Sequence, residues 1–377
     1  MDRDAIMSAS QPAAPDADLM RSIIQRIATG PELSKNIARE EARAAMRLVL
    51  EGRVDPVQAG VFLIALRMKR ETDDENLGVL DAIRDVTCSA TADVDEVMDV
   101  ADPYDGYSRT LPAAPFLAAV LSACGLPAVS HGVARMGPKY GVTHRQVLRA
   151  AGATVDLSVA DAAARVADAR IGWAYIDQRM FCPKLHDLAR LRALIVKRPA
   201  ITTVEVLARP IRGRLRTHLV TGFVHKPYPR IYALLARAAG FDSALIVRGM
   251  EGGVIPSLRA SGKVFYFHDR GAEQELDLVP ADFGIESLRR APLPAAESGA
   301  GEDRHPPLDS EAAAETAAAA GLAALNGAPG PARDSLVCAA ALCLKHVGRF
   351  ETLRAAADAV RAALDSGAAR ARFQSNR

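Results

Sequence analysis

The stretch Val57-Gln-Ala-Gly-Val-Phe-Leu-Ile-Ala-Leu-Arg-Met-Lys-Arg-Glu71-Thr72 reads as a helix entered at Asp55 and running to Lys69. Directly behind it, Thr72-Asp-Asp-Glu75 carries a helix-start signature: the Thr72 hydroxyl can accept from the Glu75 amide while the Glu75 carboxylate reaches back. Leu77, Val79, Leu80 and Ile83 then supply the apolar face. Upstream, Ala42, Met46, Leu48 and Val49 repeat at helical spacing and stop at Gly52. The expectation is a small all-helical domain over residues 19–90, preceded by a flexible tail at 1–18 and joined by helices from about 160–195.

Beyond Asp93 the pattern changes. Short β-branched or apolar runs (Val97–Val100, Ala128–Ser130, Ala174–Ile176) alternate with helical, alanine-rich stretches, which predicts a larger α/β domain over 91–377 with a central mixed sheet flanked by helices. Ile201–Val206, His218–Val224 and Ser243–Val247 read as further strands, with a helix over Ile231–Ala239. Gly-containing turns on either side of Val264–His268 suggest an antiparallel hairpin. The Pro-, Ala- and Gly-rich run at 293–309 has nothing to bury and is expected to be a mobile loop. Helices follow at Ser310–Leu325 and Ser335–Ser366, the second broken at Val347-Gly348.

Composition excludes several classes. Apolar residues make up 49% of the 377 and charged residues 24%, so wholesale disorder is out. Forty-seven basic against 45 acidic residues give a formal charge of +2, and no global field draws the chain to nucleic acid or membrane. The richest apolar run, Phe116–Val129, falls short of the ~20 residues of a membrane span and contains Ser, Gly and Pro. A soluble, cytoplasmic protein is expected, without membrane partners. Five cysteines with no CxxC pair fit buried, reduced thiols better than disulfides or zinc ligands.

Several blocks, in order, resemble the anthranilate phosphoribosyltransferases, whose fold also serves pyrimidine nucleoside phosphorylases. They are Glu40-Glu-Ala with Gly52 and Val57–Thr72, then His131-Gly132, Val220-Thr-Gly-Phe-Val-His225, Ala244-Leu-Ile-Val-Arg-Gly249 and Ala339–Leu344. The resemblance implies a helical domain that makes a homodimer contact, an α/β domain, and substrates meeting in a cleft. Lys197-Arg198-Pro199, Thr203-Val-Glu205 and Val224-His225 with Tyr228 look closer to divergent relatives than to the tryptophan-pathway enzyme. At least one such relative type binds nucleic acid without the transferase reaction.

Phosphoribosyl transfer needs a cradle for pyrophosphate made from backbone amides, hydroxyls and magnesium. Where the family carries a glycine-rich loop, this chain has Ala101-Asp102-Pro103-Tyr104-Asp105-Gly106, in which Pro103 has no amide to give and two carboxylates oppose phosphate. The polar cluster at the next helix start is replaced by Pro112-Ala-Ala-Pro115. Where an acidic pair would hold magnesium, Glu251 stands alone. Each donor lost from such a cradle costs ~3 kcal/mol of transition-state stabilisation, so little ordinary transfer is expected, and magnesium enters only if that transfer is retained.

Candidate ligand-binding residues are Asp102, Tyr104, Asp105, Gly106, His131, Gly132, Arg135, Lys139, Arg198, His225 and Arg248, with Glu251 as a metal candidate. Each also has an ordinary reading, as turn residues, a satisfied histidine or solvated loop cations. The ligand would be phosphorylated or nucleoside-like. The alternative is single-stranded nucleic acid held by Arg190, Arg192, Lys197, Arg198, Arg209, Arg212, Arg214 and Arg216, eight cations opposed only by Glu205 within 27 residues. No aromatic residue is interleaved for base stacking.

Overall fold

The computed structural model describes residues 14–30, 32–286 and 308–376. The 293–309 stretch expected to be a mobile loop lies outside these, apart from its last two residues. The chain divides into two compact units, one formed by the segment up to Thr87 together with Cys182–Ala208, the other by Cys88–Phe181 and the chain from Arg209 onward.

The helical unit holds helices Ala14–Ile27, Arg39–Leu50, Pro56–Lys69 and Asp73–Asp85, with Ala189–Ile195 and Ile201–Val204 from its second segment. The first helix starts inside the stretch read as a tail, and Arg53 ties its Asp16 down at 2.6 Å. Asp55 accepts the Val57 amide at 2.7 Å and Pro56 opens the helix, a preorganised N-terminus. At Thr72 the expected reciprocal cap forms, with Glu75 Oε2 accepting the Thr72 amide at 2.8 Å. The buried Glu75 carboxylate also takes the Ile37 amide at 2.9 Å and Lys69 Nζ at 2.7 Å, so one side chain joins three segments. Gly78 lets two helices approach: a Cβ there would lie 2.3 Å from the Arg39 carbonyl.

Ile201–Val206, read as a strand, is helical instead. Its β-branched residues favour strands weakly. Tertiary context overrides that preference, because Ile201 and Val204 are buried and Arg192 clamps Glu205 with two bonds of 2.6 and 2.7 Å. Of the 160–195 stretch expected to join this unit, only the part from Cys182 does so; the helix Val159–Ala167 packs on the sheet of the other unit.

The α/β unit contains strands β1 (Ala90–Thr91), β2 (Glu96–Ala101), β3 (Ala128–Gly132), β4 (Trp173–Asp177), β5 (Ile211–Arg212), β6 (Arg216–Gly222), β7 (Ser243–Val247), β8 (Gly262–Phe267) and β9 (Gln274–Leu278). Seven form one mixed sheet in the order β4-β3-β2-β6-β7-β8-β9; the first five run parallel and the β8–β9 hairpin is antiparallel. β1 and β5 form a separate parallel pair. Trp173 and Tyr175 are fully buried in the core, together with Met98, Val100, Val220 and Leu245. The C-terminal helices Ser310–Leu325, Pro331–His346, Leu353–Asp365 and Ala368–Gln374 contribute to the same core. Alanine and glycine make this packing close: a Cβ on Gly321 would stand 1.9 Å from the Phe116 ring. The carboxyl ends of β2, β3, β6 and β7 therefore point their loops to one edge, where open α/β sheets place ligands.

Candidate functional site

At that edge the loops close tightly on one another. A Cβ on Gly222 at the end of β6 would meet the Gly253 carbonyl at 2.1 Å, so glycine is required for β6 to end against the loop after β7. Gly253 in turn faces the buried Tyr107 hydroxyl. Burial, with the Asp102 carboxylate close by, pushes the Tyr107 phenol well above its usual range.

Two buried polar chains fill the space between the loops. In the first, His131 Nε2 lies 2.8 Å from Asp99 Oδ1 and His131 Nδ1 lies 2.6 Å from the Tyr104 hydroxyl. A neutral ring bonded in this way donates from Nε2 to the carboxylate, leaving Nδ1 to accept the tyrosine O–H. In the second, Asp102 takes His144 Nε2 at 2.9 Å on one oxygen and the Val254 amide at 2.8 Å on the other. The hollow bounded by Asp102, Pro103, Tyr104, His131, Val133, Thr143 and His144 has no room even for a water molecule.

The third feature is an anion nest. Glu251 Oε2 accepts the Ser108 amide at 2.9 Å and the Ser108 hydroxyl at 3.1 Å, while Oε1 accepts the Arg109 amide at 2.8 Å. Lys139 Nζ completes the arrangement at 3.0 Å. Burial alone would raise the Glu251 carboxyl, but the Ser108 amide, Lys139 and the Arg109 amide outweigh it and hold the group below the usual range. Glu251 adopts φ +52°, the left-handed region that a non-glycine residue enters only when its surroundings fix it there. Two amides, a hydroxyl and an ammonium are the donors a phosphate would take, and a carboxylate of the chain itself uses all of them.

The structure thus brings together Asp102, Tyr104, Gly106, His131, Gly132, Lys139 and Glu251. Asp105 is buried at the same edge, where its carbonyl accepts the Gly141 amide. Arg135 is exposed over the Tyr140 ring at 5.0 Å, His225 is exposed beside Tyr228, and Arg248 stands exposed after β7. Arg198 belongs to the helical unit. Sequence reading missed Asp99, His144 and the Ser108 and Arg109 amides. Asp99 left a signal, an aspartate inside the otherwise apolar strand Val97–Val100; the amides left none.

Several cations of the eight-cation stretch are engaged within the protein. Arg192 is 2% exposed and spent on Glu205. Arg209 lies over Phe241, Arg214 pairs with Asp93 and Asp95 at 2.7 Å, and Arg216 faces Asp269 at 3.7 Å. Arg190, Lys197 and Arg198 are exposed on the helical unit, while Arg209, Arg212, Arg214 and Arg216 belong to the other. Val196, immediately before Lys197, is held at φ +63°, a strained setting for a β-branched residue.

The magnesium that the fold family implies does not fit. Glu251 is already ligated by three protein donors and an ammonium, and a dication beside Lys139 would be repelled. No group of three or more His, Cys, Asp or Glu able to hold a metal occurs among the described residues. Nor is any described helix long and apolar enough to cross a membrane.

The α/β unit thus carries a mixed sheet with these loops at the carboxyl ends of its parallel strands, and the other unit is a helical bundle. Residues 21–87 match the glycosyl transferase family helical bundle domain and residues 108–370 the family's a/b domain, and the chain belongs to this family. It is 29% identical over 354 residues to an anthranilate phosphoribosyltransferase of Rhodopseudomonas palustris, covering 94% of this chain and 96% of the relative. It is 28% identical over 239 residues to an uncharacterized protein of Aquifex aeolicus, covering 63% and 71%. Among solved structures, the anthranilate phosphoribosyltransferase of Thermus thermophilus superposes with a TM-score of 0.68 at 21% identity, covering 95% of this chain and 98% of that one. The Saccharomyces cerevisiae enzyme in complex with 4-fluoroanthranilate gives 0.74 at 15% identity, covering 96% and 98%.

Proposed function

We propose that this chain keeps the family's scaffold without ordinary phosphoribosyl transfer, and that it works as a binding protein for a phosphate-bearing ligand. The observation that carries this reading is the Glu251 carboxylate seated on the Ser108 and Arg109 amides and on Lys139. An internal anion there competes with pyrophosphate at no cost in translational entropy and leaves no place for magnesium. Calorimetry with phosphoribosyl pyrophosphate and magnesium, coupled to an assay of anthranilate turnover, tests it. No heat of binding and no turnover are expected; micromolar uptake with steady turnover would overturn the reading.

Two ligand classes remain: a phosphorylated or nucleoside-like small molecule near His131, and single-stranded nucleic acid on the exposed cations. The closed hollow at Asp102, Tyr104, His131 and His144 favours the second, since a small molecule would have to displace two buried polar chains. Lys184, Arg190, Lys197 and Arg198 are exposed within 15 residues that contain one acidic side chain, Asp187. That is a smaller surface than the eight-cation stretch, and it lies on one unit. Anisotropy of a labelled oligonucleotide tests this reading. Salt-sensitive binding weakened by substitutions in these four residues is expected; binding indifferent to salt and to the substitutions would exclude it.

A further inference from the structure

The loop after β6 and the helix Tyr228–Ala239 that follows it carry three aromatic rings in a row, His225, Tyr228 and Tyr232. The His225 and Tyr228 ring centroids lie 6.4 Å apart, and those of Tyr228 and Tyr232 lie 6.0 Å apart. Spacing of i, i+4 puts the two tyrosines on one helix face, while Pro229, Ala233, Leu235 and Ala236 are buried and the helix packs on β7 and β8. His225 is exposed and both tyrosines are half-buried, so the rings are held by the protein yet keep surface toward solvent. The row is set among cations. Lys226 and Arg230 are exposed on either side of Tyr228, and no acidic residue occurs between Thr221 and Asp242. Pro227 and Pro229 flank Tyr228, so the backbone that presents it has little freedom to lose on binding. The eight-cation stretch at 190–216 has no interleaved ring; here rings and cations alternate.

Cations beside the rings disfavour cationic ligands, which otherwise sit over tyrosine faces. A partner that is anionic and also offers flat ring faces is a single-stranded nucleic acid: every base has a face that stacks on an aromatic side chain, and the phosphates answer the cations. In a duplex those base faces are already stacked on one another. We infer that His225, Tyr228 and Tyr232 stack the bases of single-stranded nucleic acid, with Lys226 and Arg230 facing its phosphates. Such a contact presupposes the nucleic-acid reading above and adds what the exposed cations of the helical unit do not supply. A lysine or arginine on a phosphate is indifferent to the base that the strand carries there; a stacked ring is not.

Anisotropy titrations of the full chain compare a labelled thymidine oligonucleotide with an abasic strand of the same length and charge. The thymidine strand is expected to bind about fivefold or more tightly than the abasic one. Tyr228→Leu with Tyr232→Leu keeps side-chain bulk but removes the rings. It should bring the two strands to within about twofold of each other and leave the salt slope of either unchanged. Tyr228→Phe with Tyr232→Phe, which keeps the rings, should retain the difference. Thermal unfolding checks that the leucine variant is folded, and the comparison of strands on the unaltered chain stands without it. If neither strand binds, the nucleic-acid reading and the stacking surface fall together. Salt-sensitive binding that is equal for both strands, or a base preference untouched by the leucine substitutions in folded protein, overturns the stacking surface alone.

Discussion

Glu251 shows how one side chain can occupy several donors at once. Its positive φ aims a carboxylate at donors that otherwise suit phosphate. Replacing it by alanine should free the Ser108 and Arg109 amides and Lys139 together, at a stability cost of ~2 kcal/mol for the donors left unpaired. Inorganic phosphate should then give a measurable calorimetric signal with Glu251→Ala and none with the unaltered chain; equal silence from both would mean the nest is merely structural. His131 poses the opposite case. Tyr104→Phe removes one buried hydrogen bond and should cost about 1 kcal/mol in urea unfolding, whereas His131→Leu strands the Asp99 carboxylate among apolar neighbours and should cost ~3–5 kcal/mol. Similar midpoints for the two variants would count against the Asp99–His131–Tyr104 chain.

Among the elements, the opposite edge of the sheet carries a third polar chain whose titration is predictable. Glu96 at the start of β2 lies 3.1 Å from His218 Nε2, His218 Nδ1 lies 2.8 Å from Ser243 Oγ, and Ser243 Oγ lies 2.9 Å from His346 Nε2. A neutral His218 ring that donates from Nε2 to the carboxylate leaves Nδ1 to accept from Ser243, whose oxygen can then accept from His346. Bonds from His218 and Arg349 hold the Glu96 carboxyl down at about 2 despite partial burial. Burial, with His268 stacked at 4.5 Å, keeps His346 neutral well below its ordinary value. Both groups make acid destabilising, by different legs. The unfolded chain protonates His346 below about 6.5 and the folded chain resists, so stability falls as pH drops through that value. Glu96 contributes above about 4.5 and loses its contribution between there and 2, on the order of 1–2 kcal/mol once solvent screening is allowed for. Urea midpoints between pH 8 and 3 should decline in two stages, with His346→Gln flattening the first; a flat profile down to pH 5 in the unaltered chain would refute this assignment. Close packing gives a further expectation at this scale. Gly321→Val would drive a branched side chain into the Phe116 ring and should cost ~1–3 kcal/mol by thermal unfolding. Helix starts such as Thr72–Glu75 and the strands flanking β7 were legible because their signals are local. Ile201–Val204 was not, because a buried Arg192–Glu205 pair thirteen residues apart outweighs a local β preference.

For the molecule as a whole, the order of blocks made the two-unit architecture readable, while the site was only half readable. The residues at 101–106 and 112–115 could be read in the sequence; the carboxylate that takes the Ser108 amide could not, because Glu251 meets Ser108 across 143 positions. The same limit applied to charge. A count of cations over 190–216 predicted one basic surface, but Asp93, Asp95 and Asp269, outside that window, neutralise Arg214 and Arg216. Lys184, Arg190, Lys197 and Arg198 are exposed on the helical unit. If these neutralise three or four phosphates of a single strand, the logarithm of affinity should fall against that of salt with a slope of about −2 to −3 per chain, since each phosphate contributes about 0.7. The Arg190→Ala, Lys197→Ala pair should then reduce the slope by about 1.4, while Arg214→Ala, which removes an already paired cation, should leave it unchanged. A slope that responds to Arg214 and not to Arg190 and Lys197 would move the contact surface to the α/β unit.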